Sequence, residues 1–378
     1  MTVHATAAQQ RPPASARPRS AFIDNLRILL TALVVIHHAA VTYGNIPVSY
    51  YLEPAKDPSG AILDGIVMIN QTFFMGFFFM ISGFFVPGSY DRKGPKAFWR
   101  GRLKRLGIPL LLFILVMRPL LTLWLYKTEL ADKVPYWLFY IASWDPGPMW
   151  FVEVLLAFCL GYLLIRRIRG EAAPVLADSG AGRLPGPLPI AGFVLALTLV
   201  TFAWRQLVPA EAYWPVLGLP TPTFLPQYLG LFIVGVLAAR RGWFTDIPRP
   251  ALWWGGVLTA VSGAARLVTI AMFPEPNPWQ DLLSYAVECG FAVSAIVFLL
   301  ALFQRFANGR NATTRFLSDN AYGVYFLHMG VLVGVGLALR GWEASAIAKF
   351  AVLVLIALPL SWGAAALLRR IPAARRIF

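Results

Sequence analysis

Arg27 and His38 are the two side chains best placed to do chemistry in apolar surroundings. Both lie in residues 21–43, a run apolar and long enough to cross a membrane. They are eleven residues apart, which at about 100° per residue is about three helical turns, so they share one face. Thr31 and Thr42 extend the same stripe. A charged or titratable side chain inside a span costs about 2.5–3.5 kcal/mol on insertion scales, and a chain that accepts the cost usually uses the residue. A neutral imidazole at mid-depth can take the proton of a hydroxyl as general base. The alternative is a buried structural histidine and an arginine that snorkels to the interface.

Such residues need a scaffold, and composition says which. Of 378 residues, 58% are hydrophobic and 13% charged, against about 25% charged in soluble domains. Mean hydropathy is +0.63. Continuous, non-alternating apolar runs exclude a closed barrel and point to helical spans of about 20 residues. Ten runs can be read, at about 24–43, 62–87, 106–126, 148–166, 188–208, 222–240, 251–273, 281–304, 319–340 and 345–368. The expected fold is an all-α polytopic membrane helix bundle of about ten transmembrane helices.

The formal charge of +15 would suggest nucleic acid in a soluble protein, but its placement gives another answer. Lys and Arg crowd the N-terminal tail, every second connection and the C-terminus; the connection between runs 2 and 3 alone holds Arg92, Lys93, Lys96, Arg100, Arg102, Lys104 and Arg105. The other connections hold most of the acids, among them Glu53, Asp57, Glu129 and Asp132. By the positive-inside rule both termini are cytoplasmic, and the partner of the basic surface is the lipid bilayer, with no nucleic acid. Residues 1–20, polar and rich in Ala, Pro and Arg, read as a disordered cytoplasmic tail, not a signal peptide. The membrane domain then covers 21–370, and 371–378 is a short cytoplasmic tail. Cys159 and Cys289 fall in apolar runs and read as small fillers, with no disulfide and no metal site.

Orientation turns the polar residues into depths. His38 lies about 16 Å beyond Arg27, near or past the middle of a core about 30 Å thick. Arg118, Glu153, Arg205, Arg266 and Glu288, with Asn70, Gln71 and Gln227, fall in the outer half, and His328 near mid-depth. The outer group can be a hydrated cavity open to the outside, or structural pairs of Arg118 with Glu153 or Glu288. Arg102 and Arg105, three apart at the cytoplasmic start of run 3, make a candidate phosphate clamp, since guanidinium binds phosphate bidentately; ordinary positive-inside charge is the alternative. Small residues of Ser82–Phe85 (SGFF) permit close helix packing near the cytoplasmic end of run 2.

In order, these pieces resemble the acyltransferase-3 family of integral membrane acyltransferases. The resemblance is carried by Asp24-Asn25-Leu26-Arg27, by Arg27 and His38 with ten residues between, and by ISGFF in run 2. Arg102-Leu-Lys-Arg105 before Pro109, PMWFVEVLLAF at 148–158 and AYGVYFLH at 321–328 complete it, over about residues 20–370. The resemblance implies transfer of an acetyl or succinyl group from acyl-coenzyme A, a co-substrate and not a tightly bound cofactor, to a hydroxyl of an extracytoplasmic glycan or glycolipid. It implies His38 as the catalytic histidine, with Arg102 and Arg105, beside Arg27, on the donor side. It also implies a cytoplasmic (inner) membrane location, and the WFVE segment looks like the branch that decorates periplasmic glucans. A rival class with the same hydropathy is a transporter or flippase for a glycolipid or organic anion.

Overall fold

A computed structural model describes residues 21–46, 50–130, 132–170, 182–209, 212–214, 218–272 and 277–378. The expected N-terminal tail lies outside the described residues. The chain is helical nearly throughout: α1 (Ala21–Tyr43), α2 (Gly60–Arg102), α3 (Ile108–Leu112), α4 (Arg118–Glu129), α5 (Tyr136–Ala142), α6 (Trp150–Ile168), α7 (Pro187–Arg205), α8 (Leu225–Arg241), α9 (Arg249–Met272), α10 (Pro278–Phe306), α11 (Ala312–Ala338), α12 (Ala346–Leu368) and α13 (Pro372–Arg375). Among the described residues nine helical stretches are long and apolar enough to cross a membrane, so this is a multi-pass membrane bundle.

One of the nine, Gly60–Thr128, has 69 residues. At about 1.5 Å per residue it would be about 100 Å long, three times the hydrocarbon core, so it cannot be one crossing. It turns back at Gly94, whose φ of 71° and ψ of 168° suit glycine, and Pro95 follows. Across the bend the rings of Tyr90 and Phe98 are 5.5 Å apart. Tyr51, in the connection before α2, meets Trp124 at 6.0 Å, so the return limb reaches the end from which α2 set out. Two crossings in this stretch restore ten. The expected loop between runs 2 and 3 is instead helical on both sides of Gly94, through Arg105.

The return limb has two π-helical turns, Leu103–Gly107 and Phe113–Met117. Each precedes a proline, Pro109 or Pro119, whose missing N–H leaves carbonyls of the preceding turn without a donor. Tyrosine hydroxyls fill the gaps: Tyr322 Oη donates to the Arg105 carbonyl (2.7 Å) and Tyr140 Oη to that of Ile114 (2.6 Å).

The two ends of the bundle differ as the charges predict. Phe22 N–H donates to Asn308 Oδ1 (3.2 Å), docking the start of α1 on the connection before α11. Phe378 packs on Phe326 (4.9 Å) and Tyr322 (5.6 Å), so residues 371–378 fold back against the bundle at that same end. At the opposite end Asp57 and Ser59 cap α12: Asp57 Oδ2 accepts from Ala346 N–H (2.8 Å) and Ser59 Oγ from Ile347 N–H (3.0 Å). Between the ends, α1 is enclosed on opposite faces, Leu26 and Leu30 on one and Val35 and Ala39 on the other, all fully buried. Helices α2 and α8 are pressed together through glycines. A Cβ on Gly83 would meet the Phe232 carbonyl oxygen at 2.3 Å, and one on Gly235 would meet that of Met80 at 1.9 Å. The SGFF glycine is therefore a packing residue. Helix α9 turns Trp253, Val257 and Val261 outward, a lipid-facing surface.

Candidate active site

A cavity of about 1350 Å³ opens at the end that holds the basic connections. Arg27, Arg92, Lys93, Arg102, Arg105 and Arg241 line it, so α1, the Gly94 bend, the first π turn and the end of α8 contribute cations to one chamber. Inward the wall is apolar, formed by Met75, Phe78, Phe151 and Tyr325 with Thr31 of α1. Ser82 also faces in, beside the packing glycine of the same motif.

The structure thus brings Arg27, Arg102 and Arg105 together. Arg27 Nη1 lies 3.4 Å from Asp24 Oδ1 one turn earlier. Arg102 lies over the Phe98 ring at 5.2 Å, and among the described residues neither it nor Arg105 forms an ion pair with an acid. Arg102 stands at the start of a π turn and Arg105 within it, beside Pro109 and Tyr322, so their relative aim is not that of a regular helical turn. The threonine stripe is spent on its own helix: Thr31 Oγ1 donates to the Arg27 carbonyl (2.8 Å) and Thr42 Oγ1 to that of His38 (2.9 Å).

His38 is about 10 Å along α1 beyond Thr31 and lies past the cavity's inner wall. It has two histidine neighbours. Its ring centroid is 5.2 Å from that of His328 and 5.4 Å from that of His37. His37 stacks on Phe74 at 5.0 Å. His328 is fully buried, and its Nδ1 is 2.7 Å from the Tyr325 carbonyl oxygen. Tyr325 stacks on the His328 ring at 6.0 Å and also lines the cavity, so it joins the chamber to the histidines. Of the four histidines in the chain, three meet here; His4 lies outside the described residues. Among the described residues no three His, Cys or carboxylate side chains are placed to share a metal ion.

The outer polar residues are not in this chamber, and they are not paired as the sequence suggests. Arg118 meets neither Glu153 nor Glu288. It is fully buried, donates to the carbonyls of Tyr140 (3.0 Å) and Ser143 and to Ser143 Oγ (2.9 Å), and lies over the Tyr140 ring at 4.4 Å. Glu288 is held instead by Arg205, at 2.6 and 3.3 Å, and by Arg266 at 3.1 Å. Those partners come from α7, distant in sequence, and from α9, the helix just before α10. Asn70 Nδ2 donates to the Leu33 carbonyl (3.1 Å), Gln71 Nε2 to Tyr228 Oη (3.0 Å) and Gln227 Nε2 to the Thr72 carbonyl (2.7 Å). These groups tie helices to one another. Glu153 is half-buried in the first turn of α6, where a helix N-terminus favours a carboxylate.

The sequence places His328 at mid-depth and at the end of the AYGVYFLH segment, without a role. Its link to His38 joins α1 to α11, and the one signal in the sequence is the spacing of Tyr322, Tyr325 and His328, which places all three on one helical face. Arg92, Lys93 and Arg241 read as topological charge until the bend at Gly94 and the end of α8 turn them into the chamber. In comparisons with known proteins, the model of a family described as an acyltransferase domain matches residues 20–366. No curated protein and no solved structure matches.

Proposed function

This chain belongs to the acyltransferase-3 family and is a membrane acyltransferase, and from that premise we propose that it moves an acetyl or succinyl group from cytoplasmic acyl-coenzyme A to a hydroxyl of an extracytoplasmic glycan or glycolipid. The observation that carries the reading is the chamber: a rim of six cations and an apolar inner wall that includes Tyr325, which stacks on the His328 ring beside His38. Coenzyme A is a polyphosphate head on a long, weakly polar arm. Arg102 and Arg105, with Arg27, hold the phosphates by charge-assisted bonds. The arm extends along the apolar wall and presents the thioester toward His38. The acceptor hydroxyl arrives from the opposite side of the membrane, and the outer group of Arg118, Glu153, Arg266 and Glu288 supports that side by fixing the helices around it.

His38 takes the hydroxyl proton as the oxygen attacks the thioester carbonyl. The new C–O bond forms, the C–S bond breaks, and the proton passes to the departing thiolate, releasing coenzyme A as its thiol. General base help of this kind is worth about 10²–10⁴-fold in rate. A cytoplasmic (inner) membrane location suits a donor taken from one side and an acceptor on the other.

The test uses purified protein in proteoliposomes with radiolabelled acetyl- and succinyl-coenzyme A, followed by mass spectrometry of envelope glycans from cells with and without the protein. Label transfer that is lost in His38→Ala, with the variant still inserted and folded, supports the reading. Solute flux with no thioester consumption would assign the protein to transport instead.

A further inference from the structure

We infer that His328 is the positioning partner of His38: its unprotonated nitrogen accepts a hydrogen bond from one nitrogen of His38 and leaves the other free to take the acceptor's proton. This rests on His38 being the base. The argument begins with the tautomer of His328. Its Nδ1 lies 2.7 Å from the Tyr325 carbonyl oxygen, and a carbonyl only accepts, so Nδ1 carries a proton. In the neutral ring Nε2 is then a lone pair. That Nε2 is buried with no partner among the described residues, and so is Nδ1 of His38.

Distance matches the two vacancies. Two imidazoles joined by an N–H···N bond of about 2.9 Å have centroids about 5.2 Å apart, because each nitrogen lies about 1.2 Å from its ring centre. The His38 and His328 centroids are 5.2 Å apart, with the rings inclined by 40°. The two nitrogens are both without a partner in the structure, and a turn of the His38 ring about its Cβ–Cγ bond is the one adjustment the proposal requires. His328 is the fixed member: the Tyr325 carbonyl holds one edge and the Tyr325 ring one face, and Tyr325 is itself tied by its hydroxyl to the Pro148 carbonyl.

Hydrolases that use a serine and a histidine give this orienting task to a carboxylate. Here no described carboxylate bonds or pairs with any of the three histidines. A neutral acceptor suits a membrane interior, where a buried carboxylate is costly. During reaction His38 Nε2 takes the hydroxyl proton, and the resulting imidazolium donates from Nδ1 to His328 in a stronger, charge-assisted bond. His328 stays neutral, and the proton leaves with the thiol. His37 is the other ring in reach, but it stacks on Phe74 and is one residue along the same helix, so it cannot face His38 edge to edge.

Two substitutions separate positioning from packing. Asn at 328 keeps an amide N–H for the Tyr325 carbonyl and has nothing at the Nε2 position. Gln can present its amide oxygen there. The full-length protein in detergent is assayed for acetyl transfer, or for thioester hydrolysis where the acceptor is not in hand. His328→Asn should lower kcat by about 10²-fold, within the span of base catalysis, with KM for acyl-coenzyme A unchanged within about twofold. His328→Gln should recover most of kcat. Equal loss in both variants, or kcat within about twofold of the parent in His328→Asn, overturns the proposal. If the variants do not fold, ¹⁵N-imidazole NMR of the parent decides: a proton on Nδ1 of His38 supports it, and one on Nε2 overturns it. Full activity in His38→Ala would instead remove the premise that His38 is the base.

Discussion

Replacing Arg102 by Ala tests the donor chamber most directly. Its guanidinium lies over Phe98, half-buried, on the wall that also holds Arg27 and Arg105. With no acid partner among the described residues, its hydrogen-bonding edge is available to phosphate, and removing it strands no buried carboxylate. The loss is then one charge-assisted interaction, about 1.5–3 kcal/mol, which is about 10- to 100-fold in affinity for coenzyme A. Arg105→Ala should behave alike, and the two losses should be less than additive, because the residues share a π turn and a ligand. Lys at either position should restore only part, since a point charge lacks the planar fork. Isothermal titration of coenzyme A into the detergent-solubilised protein reads the change, with a thermal melt of each variant as control. Affinities within about twofold of the parent for both Ala variants would refute the clamp and leave the cluster as topological charge.

Three other outcomes follow from the geometry. Acetyl-coenzyme A should exceed succinyl-coenzyme A in kcat/KM by about 100-fold, because an unpaired carboxylate on the Met75, Phe78 and Phe151 wall costs about 3 kcal/mol; equal use in a direct competition would refute a neutral inner wall. Glu288→Gln strands Arg205 and Arg266 and should destabilise by about 3–5 kcal/mol; a variant that melts with the parent would show that the triad is not structural. Hydrogen bonds from Ser59 Oγ, Ala346 N–H and Ser59 N–H hold the Asp57 carboxyl below its usual range. A depressed carboxyl contributes stability that is complete above its unfolded value of about 3.9 and is lost as pH falls through the folded one. Asp57→Asn should therefore lower the melting temperature at pH 7, with the difference shrinking as the buffer is taken below about pH 4; a constant difference across that range would contradict it.

What the sequence disclosed and what it withheld divide along a physical line. Spans, their number and the grouping of basic connections at one end follow from local hydropathy and charge, and each such signal is complete within about 20 residues. The bend at Gly94 was half legible: a glycine followed by proline marks a break, but the helix on either side of it is set by packing against α6 and α8. Contacts between helices left almost no trace. Arg118 reads as the partner of a distant acid, yet backbone carbonyls of Tyr140 and Ser143 satisfy it, and any sequence at 140 and 143 supplies those. Glu288 reads as one acid among several arginines, and only the crossing of α7, α9 and α10 selects Arg205 and Arg266. The donor side lies between these cases. Arg27, Arg102 and Arg105 fall at one depth by the charge pattern, which alone brings them to one end, whereas their convergence on one chamber requires the chain to reverse at Gly94. His38 has the same double character. Its depth follows from counting residues along α1, but the partner that fixes its tautomer comes from α11, about 290 residues away, and is selected by a backbone carbonyl, the one group that every residue carries. Depth in a membrane is readable because the bilayer imposes it on every helix alike. Partnership is not, because it depends on which faces the helices turn to one another.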